Sequence, residues 1–154
     1  MRKRSKYKPR RVLQDTLTWI KAGFKPVTHL KNELVDIKLK NQIALKDLLA
    51  GNCNHSQIQQ LVGAFNITEA LARMKFGQDW SSEIKDAQDA LLDVSRRFKQ
   101  LGRYTLKGVE RTALNLAMDV HDAQLDVVTV QDVEKAMDLV NQDVRLRKAR
   151  VIHA

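Results

Sequence analysis

The residues best equipped for chemistry stand at the start of the chain. Residues 1–11 contain Arg2, Lys3, Arg4, Lys6, Lys8, Arg10 and Arg11, seven cations with no acid, and Tyr7 lies among them. A run of this kind can follow the phosphates of a nucleic-acid backbone, and the aromatic ring offers a face for stacking. Pro9 keeps the local backbone out of a helix. Phosphate contacts give affinity with little sequence information. If about four to six of these cations displaced counterions on a duplex, the logarithmic salt slope would be roughly −4 to −5. The competing reading is a solvated tail that serves only solubility.

A second basic group closes the chain, where Arg145, Arg147, Lys148 and Arg150 follow the last acid, Asp143. These four and the seven at the start account for eleven of the 27 Lys and Arg residues, leaving 16 against 18 Asp and Glu. The net charge of +9 therefore belongs to the ends, and the body between them is about −2. Two helix ends, one with Arg96, Arg97 and Lys99 and one with Arg145, Arg147 and Lys148, could line a groove-facing surface. Neither carries a helix-turn-helix signature, and cations near a helix C-terminus also complement its dipole.

Carboxylates form two stripes at helical spacing. Asp119, Asp122 and Asp126 lie at i, i+3 and i+7 with His121 beside them, and Glu33 and Asp36 follow His29. Facing helices with such stripes can hold a di-metal centre, but the Glu-x-x-His pair of those centres is absent from the chain. Solvated faces and structural ion pairs are the expected use, with no metal. Cys53 lies two residues from His55, a juxtaposition without the orienting third group a nucleophile needs. No phosphate-binding loop, dinucleotide fingerprint, nucleophile elbow or zinc-protease pair occurs. Neither enzymatic activity nor a cofactor is expected.

The elements that must carry these groups read as helices. Leu13, Leu17 and Ile20 give residues 12–22 an apolar stripe, and Gly23 and Pro26 end it. Thr28 is an N-cap candidate for a helix to Ala50 with Leu30, Leu34, Ile37, Leu45 and Leu48 inward. Ser56 and Gln59 form a capping box for a third helix, in which Ile58, Leu61, Val62, Phe65, Leu71 and Met74 face the core. Gly63 inside that helix suggests close approach of another element, and Gly77 supplies a stop. Residues 81–101 have the most regular pattern, Ile84, Ala87, Leu91, Val94, Phe98 and Leu101, at coiled-coil intervals. Gly102 closes that helix. Thr105 caps a fifth helix to Asp126 with Val109, Ala113, Leu116 and Val120 inward, and Thr129 with Asp132 opens a sixth led by Val133, Met137, Val140 and Val144.

The fold class expected is all-α: a single-domain bundle of about six helices over residues 12–150, a flexible basic arm at 1–11 and a short tail at 151–154. A chain of 154 residues typically buries roughly 68–70% of its unfolded surface, enough for a core without staples. The single cysteine leaves the fold independent of an oxidising compartment, and no apolar run is long enough to span a bilayer. The basic start lacks the apolar stretch of a secretory signal, so a cytoplasmic setting is expected. The seam on residues 81–101, together with Trp19, Phe76 and Trp80, reads either as core or as a self-association or partner surface.

The opening MRKRSKYKP, the segment NITEAL at 66–71, LAMDVHDAQLD at 116–126 and VQDVEKA at 130–136 resemble a family of small uncharacterised proteins encoded by proteobacterial phages and prophages. The resemblance runs over most of the chain. It implies a bacterial cytoplasm and a mobile-element gene, and it assigns no activity or site residue. Two functions are expected from the residues in that setting. The first is a non-enzymatic nucleic-acid-associated accessory or regulatory protein binding DNA or RNA backbone through the arm. The alternative is a helical module that binds and modulates a host or phage protein, for example as an inhibitor of host defence or of transcription, with the arm helping to dock on an acidic partner.

Overall fold

The computed structural model describes residues 31–146. Five α-helices fill that span: α1 Lys31–Ala50, α2 His55–Arg73, α3 Ser81–Leu101, α4 Gly108–Leu125 and α5 Val130–Arg145, with a 3-10 turn, Gln78–Trp80, before α3. No β-strand occurs among the described residues. The arm at 1–11, the expected helix at 12–22, the Thr28 cap and the tail at 151–154 lie outside them. No described helix is long and apolar enough to cross a membrane.

α2 is the central helix and packs against α1, α3, α4 and α5. Ten of its nineteen residues are buried, as contact on several sides requires. Ile58, Leu61, Val62 and Phe65 meet Leu45 and Leu48 of α1, Leu91 and Val94 of α3, and Leu114 and Met118 of α4 in the main core. A second cluster joins Leu34, Ala70, Leu71, Leu125 and Val128 to Ala136 of α5. Each fully buried leucine or phenylalanine side chain contributes about 1.5–3 kcal/mol by its removal from water.

The helix boundaries show which local signals prevail. Gly51 and Gly102 take left-handed φ values of +80° and +67° after α1 and α3, as helix-ending glycines do. Thr129 and Asp132 form the expected capping box of α5. The box of α2 is instead made by Asn54 and Gln57, two residues before the Ser56–Gln59 pair: Gln57 N donates to Asn54 Oδ1 at 2.9 Å, and Asn54 N to Gln57 Oε1 at 3.0 Å. Asn54→Ala is expected to lower stability by about 1 kcal/mol, read as a shift in urea midpoint with unchanged m-value.

Five expectations are corrected by packing. Ile37 is 45% exposed, and its inward place on α1 is taken by Asn41 and Ala44. A Cβ at Gly63 would meet nothing within 4 Å, so that glycine marks no close approach. On α3 the seam is buried from Ile84 to Val94 but surfaces at Phe98 and Leu101. On α4 the helix begins after Thr105, Val109 is 82% exposed, and the buried face is Leu114, Ala117, Met118, His121 and Leu125. α4 carries two apolar stripes about a third of a turn apart; of the expected one Val120 is buried, and the main core takes the other. On α5 only Ala136 is buried, while Met137 and Val144 are exposed.

Candidate nucleic-acid interface

Of the basic residues expected to meet nucleic acid at the chain's ends, Arg145 is described and exposed, in the last turn of α5. Arg2, Lys3, Arg4, Lys6, Tyr7, Lys8, Arg10, Arg11, Arg147, Lys148 and Arg150 lie outside the described residues. The body itself carries a cationic end that overall charge conceals. Among residues 31–146 there are fifteen Lys and Arg and seventeen Asp and Glu; six of those cations and one acid fall within 96–111, giving +5 there and −7 elsewhere. That stretch is the end of α3, its connection and the first turn of α4.

The connection is held by a charge pair thirteen residues apart. Arg97 Nη1 donates to Glu110 Oε1 at 2.9 Å, and Nη2 donates both to Glu110 Oε2 and, at 2.8 Å, to the carbonyl of Thr105. Lys107 N donates to the same carboxylate at 2.7 Å, capping α4. Burial works against ionisation of Glu110, but the hydrogen bonds from Arg97 and the Lys107 backbone, with their charges, outweigh it and hold the carboxyl below its ordinary value. This clamp fixes α3, the turn and α4 against one another. Arg97 and Glu110 are thus internal, and Arg96 is tied to Asp93 at 3.3 Å on the surface.

Lys99, Arg103, Lys107 and Arg111 remain on the outside of the clamp, all exposed, and none forms an ion pair with a described residue. Between them, the ring of Phe98 stacks on Tyr104 with centroids 4.2 Å apart and an interplanar angle of 17°. Tyr104 is 6% exposed and Phe98 37%. Exposed cations in the same short connection as a half-exposed aromatic ring offer groups suited to phosphates and to stacking. The pattern Arg-Arg-Phe-Lys…Arg-Tyr…Lys…Arg was present in the sequence, but only the turn geometry brings its two halves together.

The acidic stripes have other work. Lys38 Nζ donates to Asp126 Oδ1 at 2.7 Å and Gln42 Nε2 to Asp122 Oδ2 at 2.9 Å, both joining α1 to α4. His29 is outside the described residues, and Glu33, Asp36 and Asp119 are exposed. Among the described residues no group of three or more His, Cys, Asp and Glu is placed to hold a metal. His121 lies inside, 2% exposed, in a directional chain: Gln60 Nε2 donates to Asn41 Oδ1, Asn41 Nδ2 to His121 Nε2, His121 Nδ1 to Thr68 Oγ1, and Thr68 Oγ1 to the Ala64 carbonyl. Only the neutral tautomer protonated at Nδ1 satisfies that sequence of donors. Burial, with the Lys38 charge, lowers its pKa to about 4.

Cys53 packs against the main core, and burial, with the Asp47 charge, pushes its thiol up to about 11. Its Sγ donates to the Asn54 carbonyl and His55 pairs with Gln59, so the two form no nucleophile and base. The second stripe of α4 lines a groove of about 430 Å³ whose wall includes Phe76, Trp80, Leu116, Val120 and Val127. No family model matches this chain, and no curated protein or solved structure does either.

Proposed function

We propose that the protein is a non-enzymatic accessory or regulatory protein of a phage or mobile element that associates with nucleic acid through phosphate contacts. The observation that carries this reading is the separation of charge within the folded body: +5 over residues 96–111 against −7 over the other described residues. A polyanion is attracted to the cationic end and repelled by the remainder, so the field orients the encounter as well as strengthening it. The arm at 1–11 adds seven further cations and a tyrosine. Contacts of this kind favour binding without strong sequence preference.

The test is a titration of the full chain with labelled duplex and single-stranded oligonucleotides at two salt concentrations, beside a form lacking residues 1–11. Binding that weakens steeply with salt is expected, with part of the slope lost on removing the arm. An unchanged affinity and slope after that deletion would remove the arm from the reading. If no oligonucleotide binds at low salt, the reading fails. The apolar groove between Trp80 and α4 then favours the second reading, a module that engages a protein partner.

A further inference from the structure

The α3–α4 connection carries more than charge. Phe98 closes an apolar seam whose inner members, Ile84 to Val94, are buried, yet the residue is 37% exposed and Leu101 beyond it is 55% exposed. The ring is also pinned, since Tyr104 stacks against it at 4.2 Å and is itself buried. A tyrosine fixed beneath leaves the phenylalanine with one face covered and an ordered apolar surface toward solvent. Lys99 is its chain neighbour, and Arg103 follows Gly102 in the turn, both exposed. The Arg97 clamp to Glu110 and the Thr105 carbonyl holds the turn that presents them.

We propose that this surface is a single-strand site, in which an unpaired base of DNA or RNA stacks on Phe98 while Lys99 and Arg103 hold the flanking phosphates. The inference rests on the nucleic-acid reading above and narrows its substrate. In a duplex every base face is already stacked on its neighbours, so a fixed aromatic ring has nothing to receive; an unpaired base offers a free π-face. Stacking is tolerant of base identity, so a site of this kind binds without strong base preference. Phosphate contacts alone would treat duplex and single strand by charge density, whereas the ring discriminates between them.

The experiment compares wild type, Phe98→Leu and Phe98→Tyr as full chains against labelled single-stranded DNA, single-stranded RNA and the matching duplex at low salt, with helicity and melting recorded for each. Phe98→Leu keeps an apolar side chain but removes the π-face, so single-strand affinity should fall by about 5- to 100-fold while duplex affinity stays within about twofold. Phe98→Tyr retains the face and should bind as wild type does. A preference for DNA or for RNA identifies which strand the site takes, and either supports it. Equal single-strand affinity for wild type and Phe98→Leu, or an equal loss on duplex and single strand, overturns the stacking site while leaving phosphate binding standing. Absence of wild-type binding to all three overturns both.

Discussion

Arg97→Ala is expected to lower the unfolding free energy by about 2–3 kcal/mol, the usual consequence of removing one member of a partly buried, charge-assisted pair. The side chains of Arg97 and Glu110 are 21% and 10% exposed, so water screens the pair less than it does an open surface bridge. The loss has three parts. Glu110 keeps its burial without its cation, the Thr105 carbonyl loses a donor, and whatever surface the Arg97 stem covers is opened to water. For a domain of this size the melting midpoint should fall by roughly 4–12 °C. Arg97→Lys should rescue only part, because an ammonium cannot donate in parallel to both carboxylate oxygens and reach the carbonyl. A loss below about 1 kcal/mol would mean that the pair behaves as an ordinary solvated surface bridge. The clamp would then not be what holds the cationic turn.

The second large effect is acid sensitivity through His121. Its pKa is lowered to about 4 in the folded protein from an ordinary value of 6.5. Below pH 6.5 the unfolded chain gains a proton that the folded chain refuses, so stability supplied by the neutral imidazole is complete above that pH. It is lost progressively as pH falls toward 4, where the folded form also protonates. The full difference is about 3 kcal/mol. Protonation would place a donor at Nε2 against the Asn41 amide donor and add a charge near Lys38, so the Gln60–Asn41–His121–Thr68 chain cannot accommodate it unchanged. Urea denaturation at pH 7 and pH 4.5 should show the fall in wild type and a much flatter response in His121→Gln. Equal pH dependence in the two would place the sensitivity elsewhere.

The helical class and several boundaries were legible in the sequence because local chemistry decides them. Gly51 and Gly102 end helices, Thr129 and Asp132 open one, and Ile84 to Val94 lie in the core as their spacing requires. Polar residues with buried partners defeated the same reasoning. Asn41, Gln88, His121 and Gln124 are at least nine-tenths buried, each in hydrogen bonds to other helices or loops, and apolar periodicity assigns such residues outward. The phase of α4 was lost for that reason: its core face includes His121 and Gln124, while of the more regular stripe Val109 is exposed and Leu116 and Val120 border the groove.

The cationic turn was hidden by averaging. A body charge of about −2 conceals a +5 stretch beside −7, and the cations of 96–99 read singly as helix-dipole partners. Arg97 turns out to be committed to Glu110, a pairing set by the turn rather than by helical spacing. Phe98 followed a seam that the structure ends one turn earlier, and its exposure beside Tyr104 depends on how α3 meets the turn.

The most direct measurement is the salt dependence of single-strand binding by wild type and by the variant Lys99→Gln, Arg103→Gln, Lys107→Gln and Arg111→Gln. None of these four side chains donates a hydrogen bond in the clamp, so helicity should be kept and melting should fall only by the loss of the Lys107 charge near Glu110. If each contacts a phosphate, the variant binds more weakly and its logarithmic salt slope is shallower by about 3. Unchanged affinity and an unchanged slope would contradict the assignment of this turn as a phosphate-binding surface.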